Sequence, residues 1–230
     1  MTRGAGEDHT VAGDEGDTTL INIGRVVRLQ VQTASLKVPT GVGRAERYDP
    51  VALRAVPTLD FDGQGVVGRD GEATFADVHH PAHPQTKCRG TNAISIGFTS
   101  HYALMRDRFG EHVIDGIAGE NIVVETDHPV SLADIGNGVI ILATDGRRLR
   151  LPCVMAATPC LPFTRFALGL PPDQKLDRTV TGALQFLDGG TRGYYLAAPA
   201  ELATIALGTG VFRSLKSAIP REGSRTTTDR

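Results

Sequence analysis

The sequence predicts a mostly β fold, a closed barrel or strongly bent sheet carrying a few short helices. Three observations predict it. Apolar residues recur with a period of two over short runs. Gly and Pro clusters separate those runs. Helical patterns with start and stop signals are few.

The elements follow in order. In GRVVRLQVQT, Val27, Leu29 and Val31 alternate with Arg28, Gln30 and Gln32, the pattern of a half-buried strand. In NAISIGF, Ile94, Ile96 and Phe98 fall on one face, Ser95 and Gly97 on the other. TSHYALMRDRFG predicts a helix with Thr99 or Ser100 as N-cap, a stripe of Tyr102, Met105 and Phe109, and Gly110 as stop. NIVVE, GVIILA and RRLRL are further strands, with a turn at Asp145-Gly146. FTRFALG and GALQFLD read as short helices, and TRGYYLA and TIAL as late strands. Asp60 and Asp62 in LDFDG read as turn residues, and DGGTRGYY as a hairpin or a turn at a pocket rim.

Residues 1–18 are rich in Gly, Asp, Glu and Thr and poor in large apolar groups, so they are expected to form a disordered arm. The stretch 214–230 reads as a flexible tail, leaving 19–213 as a single β-barrel domain. A formal charge of -2 gives no electrostatic footprint for nucleic acid or an anionic membrane. No apolar run reaches the roughly 20 residues that span a bilayer, and the N-terminus lacks the apolar centre of a secretory signal. Three cysteines, an odd number, fit a reducing compartment. The expectation is a cytoplasmic globular protein.

LPCVMAATPCLPF holds Cys153 and Cys160 at a C-x6-C spacing, which is neither a zinc knuckle nor a redox pair. A role for either is therefore that of a single thiolate. Cys160 sits before a predicted helix, with Arg165 as a candidate cationic neighbour. Cys153, on a predicted strand, reads as packing. Cys88 lies between Lys87 and Arg89 and is either reactive or an exposed bystander.

VHHPAHPQTK gathers His79, His80 and His83. Imidazoles suit divalent metals, but Pro81 and Pro84 exclude the helix that zinc-protease motifs need. The alternatives are a divalent metal held by the three histidines from an irregular loop, or a loop in which His79 or His80 bonds a substrate or carries a proton. Lys87 and Arg89 are placed to meet an anionic group.

Four pieces in sequence resemble the MOSC family, the domain shared with molybdenum-cofactor sulfurases. They are the strand GRVVRLQVQT, the histidine-bearing loop before a strand and helix, Gly116 to Val124 as G-x-x-G-E-N-I-V-V, and Pro159-Cys160 after a late strand. The match spans roughly Ile23 to Phe212. It departs from the family where Asn137 replaces an acid and where HHPAHPQTK replaces a His-Gly-Gly loop. The resemblance implies a closed β-barrel. It implies that Cys160 binds a cofactor metal or carries sulfur, with Glu120 and Asn121 near the pocket it faces. It brings within reach a molybdenum cofactor, sulfur transfer, carbon-sulfur chemistry and reduction of N-hydroxylated compounds. The expected partners are a small anionic or sulfur-containing substrate and a sulfur donor or reductase protein. The rival expectations are a metal-dependent enzyme or lyase using the histidine loop, and a non-catalytic cofactor-binding or sulfur-carrier module.

Overall fold

The computed structural model describes residues 19–41 and 43–214. The expected arm 1–18 lies outside the described residues, and so does the expected tail apart from Ser214, which ends a strand. The first third of the chain gives β1 (Leu20–Gln32), β2 (Lys37–Pro39), β3 (Glu46–Tyr48), β4 (Leu53–Ala55), β5 (Thr58–Phe61), β6 (Val66–Asp70) and β7 (Ala73–Ala76). Next come β8 (Ile94–Phe98), α1 (Thr99–Phe109), β9 (Ile122–Glu125), α2 (Leu132–Ile135), β10 (Gly138–Leu142) and β11 (Arg148–Ala156). The chain continues through α3 (Leu161–Ala167), α4 (Arg178–Leu187), β12 (Tyr194–Leu196), β13 (Ala203–Ala206) and β14 (Gly210–Ser214).

Seven strands close a barrel in the order β1-β14-β10-β11-β12-β8-β9, returning to β1. Every seam is antiparallel except β8 to β9. A parallel seam needs a crossover, and α1 supplies it. A second sheet, β13-β5-β6-β7, packs against β1, and β2 and β3 form a small hairpin. Leu59, Phe61, Val66 and Ile205 from the second sheet share one buried cluster with Val26, Leu29, Val31, Ile96 and Ile141 of the barrel. A smaller cluster joins Tyr102 and Met105 of α1 to Phe163 and Ala167 of α3, with Leu36 and Tyr48. Among the described residues no helix is long and apolar enough to cross a membrane.

Two readings of pattern needed correction. Val27 is 38% exposed and Val26 is buried, because β1 slips register between Val26 and Arg28 and changes face there. Leu29 and Val31 keep the predicted side, but Gln30 is also buried, its Nε2 donating to the carbonyls of Gly116 and Glu120 at 2.6 and 2.8 Å. The N-cap of α1 is Phe98, without a side-chain bond. Thr99 and Ser100 open the helix and turn their hydroxyls to the loop after β9, at Thr126 and His128.

The strands expected at NIVVE, GVIILA and RRLRL form β9, β10 and β11, the last running on through Cys153 to Ala156. Helix α4 starts ahead of the GALQFLD pattern because Asp177 caps it, accepting from the Val180 N–H at 2.8 Å. Asp60 lies inside β5, where Arg69 of the neighbouring strand pairs with it, whereas Asp62 does occupy a turn.

Candidate functional site

A cavity of about 850 Å³ opens where the β2–β3 hairpin, the 78–92 loop, the 118–120 turn and the segments after β11 and before β12 meet. Cys160 stands on its wall. The backbone puts it there because β11 ends at Ala156 and α3 begins at Leu161, with Cys160 as the N-cap residue and Pro162 in the first turn. The Cys160 carbonyl accepts from the Thr164 N–H and hydroxyl, which fixes the residue while leaving its sulfur half-buried beside the cavity.

The cation beside that sulfur is Arg192. Its Nη1 lies 3.9 Å from Cys160 Sγ and 3.5 Å from the Thr158 carbonyl, and its Nη2 donates to the Ala118 carbonyl at 2.9 Å. The guanidinium also stacks 4.5 Å above the Phe163 ring. Burial works against its charge, but the combined pull of Cys160, Tyr48, Glu120 and Tyr195 outweighs it, so the group is held firmly cationic. Gly193, next in the chain, has φ +81°, and a Cβ there would come within 2.0 Å of the Ile96 carbonyl. Only glycine lets the chain pass so close to β8 and aim Arg192 at the sulfur.

Glu120 lines the same cavity and is buried. It accepts a 2.5 Å hydrogen bond from Tyr102, whose hydroxyl in turn accepts the Ala118 N–H. Burial pushes the Glu120 carboxyl above the usual range against the opposing pull of Arg192. A side chain at Gly97 would meet Glu120 Cγ at 3.0 Å, so β8 is bare where the carboxyl needs room. Tyr48 and Tyr195 also line the cavity, and burial raises both phenols above their ordinary value. Lys37, Lys87 and Arg89 are exposed at the mouth, opposed there by Glu46.

The remaining candidates fall elsewhere. Asn121 lies beneath the wall with its amide fully occupied. Its Oδ1 accepts from the Ser95 N–H and hydroxyl at 2.9 and 3.0 Å, and its Nδ2 donates to Asp77 at 2.8 Å and to the Gln30 carbonyl at 3.3 Å. Arg165 does not approach Cys160. It donates to the carbonyls of Pro172 and Gln174, both at 2.6 Å, and ties down the loop after α3.

The three histidines do not converge. Only His79 lines the cavity. His80 is buried with Nε2 on Asp62 at 2.8 Å and Nδ1 accepting from the Ala82 N–H. His83 has Nε2 on the Thr33 carbonyl and Nδ1 accepting from the Gln85 N–H. Among the described residues no three His, Cys, Asp or Glu side chains gather at metal-binding distance. Cys153 is half-buried against the barrel core, where burial raises its thiol, and Cys88 is half-buried with its N–H on Thr86.

Two residues escaped the sequence reading. Arg192 was passed over inside DGGTRGYY, although an arginine followed by a glycine in a tight turn is a place where a cation can be held against backbone. Asp77, two positions before His79, was not singled out, although an acid at that spacing can reach an imidazole Nδ1.

No family model matches the chain, and no curated protein does. Among solved structures, the YuaD protein of Bacillus subtilis matches 87% of this chain and 100% of its own, at 15% identity and a TM-score of 0.54. YiiM of Escherichia coli matches 71% of this chain and 65% of its own, at 12% identity and a TM-score of 0.44. At this identity the likeness to YuaD speaks to architecture alone, and it supports a closed, MOSC-like barrel as the fold.

Proposed function

We propose that this chain is a MOSC-type enzyme acting on a small anionic or sulfur-containing molecule through the Cys160 thiolate. One observation carries the reading: Cys160 Sγ stands on the wall of a large cavity, 3.9 Å from a half-buried, cationic Arg192. Sulfur is both a soft metal ligand and a nucleophile, and a cation at that distance is placed to meet negative charge carried by it or by a bound group.

The donor set suits a molybdenum cofactor on two counts. Cys160 offers the soft donor, and Lys37, Lys87 and Arg89 at the mouth offer charge for an anionic phosphate. When bound, such a cofactor supplies two-electron redox chemistry, as in the reduction of an N-hydroxylated compound. Cys160 would then hold the metal, with Arg192 beside its sulfur, and the mouth cations would orient the phosphate.

A second reading, Cys160 as a persulfide carrier, is favoured by a separate observation. Neither Cys88 nor Cys153 lines the cavity, so no neighbouring thiol competes to form a disulfide, and the sulfur passes instead to or from another molecule.

Elemental analysis by mass spectrometry of the wild type and Cys160→Ala, from a host that makes the molybdenum cofactor, separates these. Molybdenum present in the wild type and absent from the variant is the expected result. Molybdenum or another metal retained by Cys160→Ala overturns the metal-ligand role. No metal in either protein, with sulfane sulfur on wild-type Cys160, supports the carrier.

A further inference from the structure

The fully buried carboxylate of Asp77 accepts from three defined donors and meets an imidazole nitrogen besides. Its Oδ2 accepts from the Gln32 N–H and from Asn121 Nδ2, both at 2.8 Å. Its Oδ1 accepts from the His79 N–H and meets His79 Nδ1, both at 2.9 Å. Each oxygen therefore accepts from a backbone N–H that cannot turn around, and Oδ2 accepts from the Asn121 amide as well. A carboxylate so placed can only accept, which puts the imidazole proton on Nδ1. The neutral ring then carries a bare lone pair at Nε2. His79 lines the cavity, and its Nε2 has no partner among the described residues. His80 and His83 differ, with both ring nitrogens engaged.

We propose that His79 is the base of the cavity, with Asp77 and Asn121 as positioning residues that fix its tautomer. The Asn of the Gly-Glu-Asn turn thus reaches the cavity through Asp77 rather than by touching a ligand. A proton passes from an N–H, O–H or S–H of the bound molecule to Nε2. The heteroatom keeps the electron pair, and the imidazolium rests against the Asp77 carboxylate. No oxidant or reductant enters the step. The ligand class is a small molecule with an anionic end for the mouth cations and a proton-bearing heteroatom that reaches His79. This rests on the cavity being the ligand site, and not on what Cys160 does there.

Nitrogen-15 NMR of the full chain labelled at histidine, with His79→Gln to assign the signal, reads the tautomer directly. The expected result is a proton on Nδ1 and none on Nε2 in the wild type and in Cys160→Ala alike. A proton on Nε2 in the wild type overturns the proposal. In Asp77→Asn the pin is lost and the ring is expected to move to the Nε2–H form; if that variant does not fold, the wild-type spectrum still decides. Diethyl pyrocarbonate, which acylates an unprotonated imidazole nitrogen, is expected to label His79 and spare His80. An unlabelled His79 in the folded protein counts against a bare Nε2. Loss of metal in Cys160→Ala with the tautomer intact separates the fate of this proposal from that of the thiolate.

Discussion

Arg192 and Cys160 are 32 positions apart in the chain and 3.9 Å apart in the fold, Nη1 facing Sγ. At about 4 Å a unit charge pair interacts by about 1 kcal/mol in water and about 4 kcal/mol near a protein surface. Arg192→Gln withdraws the positive charge that faces the attacking sulfur, and is therefore expected to slow labelling of Cys160 by iodoacetamide by about tenfold. Arg192→Lys keeps the charge but loses the fork on Ala118 and Thr158, and should fall between the two. Peptide mass spectrometry at early times measures this, and equal rates in all three proteins would remove Arg192 as the activating group.

The turn that aims Arg192 gives a second expectation. Gly193→Ala places a Cβ 2.0 Å from the Ile96 carbonyl at a φ of +81°. Strain and clash together should cost about 3 kcal/mol or more, a fall of about 6–12 °C in thermal midpoint for a chain of this size. A calorimetric midpoint within a degree or two of the wild type would show that the turn relaxes freely.

Glu120 makes stability depend on pH in an unusual direction. Burial raises its folded-state value, so the folded protein holds the proton more tightly than the unfolded chain. By linkage, Glu120's contribution to stability is fully present in acid and is lost as pH rises from the usual carboxylate range through the raised value. Glu120→Gln keeps an oxygen for the Tyr102 hydroxyl and removes the titration. Urea unfolding should show the variant gaining on the wild type as pH rises through that window, and a parallel pair of curves would contradict the assignment.

Asp62 works the other way. Burial tends to raise it, but the N–H groups of Gln64 and Gly65 together with His80 outweigh that and hold it below the usual aspartate range. Its stabilisation is present above that range and lost as pH falls through it. Solvent screening at this partly exposed side chain keeps the effect small, so in urea unfolding Asp62→Ala is expected to cost about 1 kcal/mol or less at neutral pH, with variant and wild type converging in acid. Asp62 and His80 do not line the cavity, so labelling of Cys160 by iodoacetamide should be unchanged in this variant, and a changed rate would mean that His80 serves the site after all.

Much of the barrel was legible because its strands carry their own period. Ile94, Ile96 and Phe98 could be phased from the sequence alone, and α1 was readable from Tyr102, Met105 and the Gly110 stop. The failures have physical causes. At Val26 and Val27 a register slip reverses the faces, and adjacent valines carry no mark of which one turns inward. Strands β2 to β7 are 3–5 residues long, and most are too short for alternation to show. At the site, Cys160, Glu120, His79, Lys87 and Arg89 were legible as residue types in suggestive places. The pairing of Cys160 with Arg192 instead of Arg165 was not, because α3 turns Arg165 toward its own following loop and only closure of the barrel brings Arg192 across. Nor could spacing show that His80 and His83 each bond a different segment.

The seam between β1 and β14 bears on how the molecule reaches this state. It sets Leu20 opposite Ser214, so the first and last described strands close the ring on each other. Such a contact spans nearly the whole described chain, and the entropy of joining distant segments comes before any reward from their pairing. A chain still emerging from the ribosome can build β8, α1 and β9 and can hold Cys160, yet its barrel stays unsealed until β14 is released. The last strand of the barrel thus acts as the latch, and ring closure waits on a contact between distant segments, slow by the standards of helical proteins of equal length.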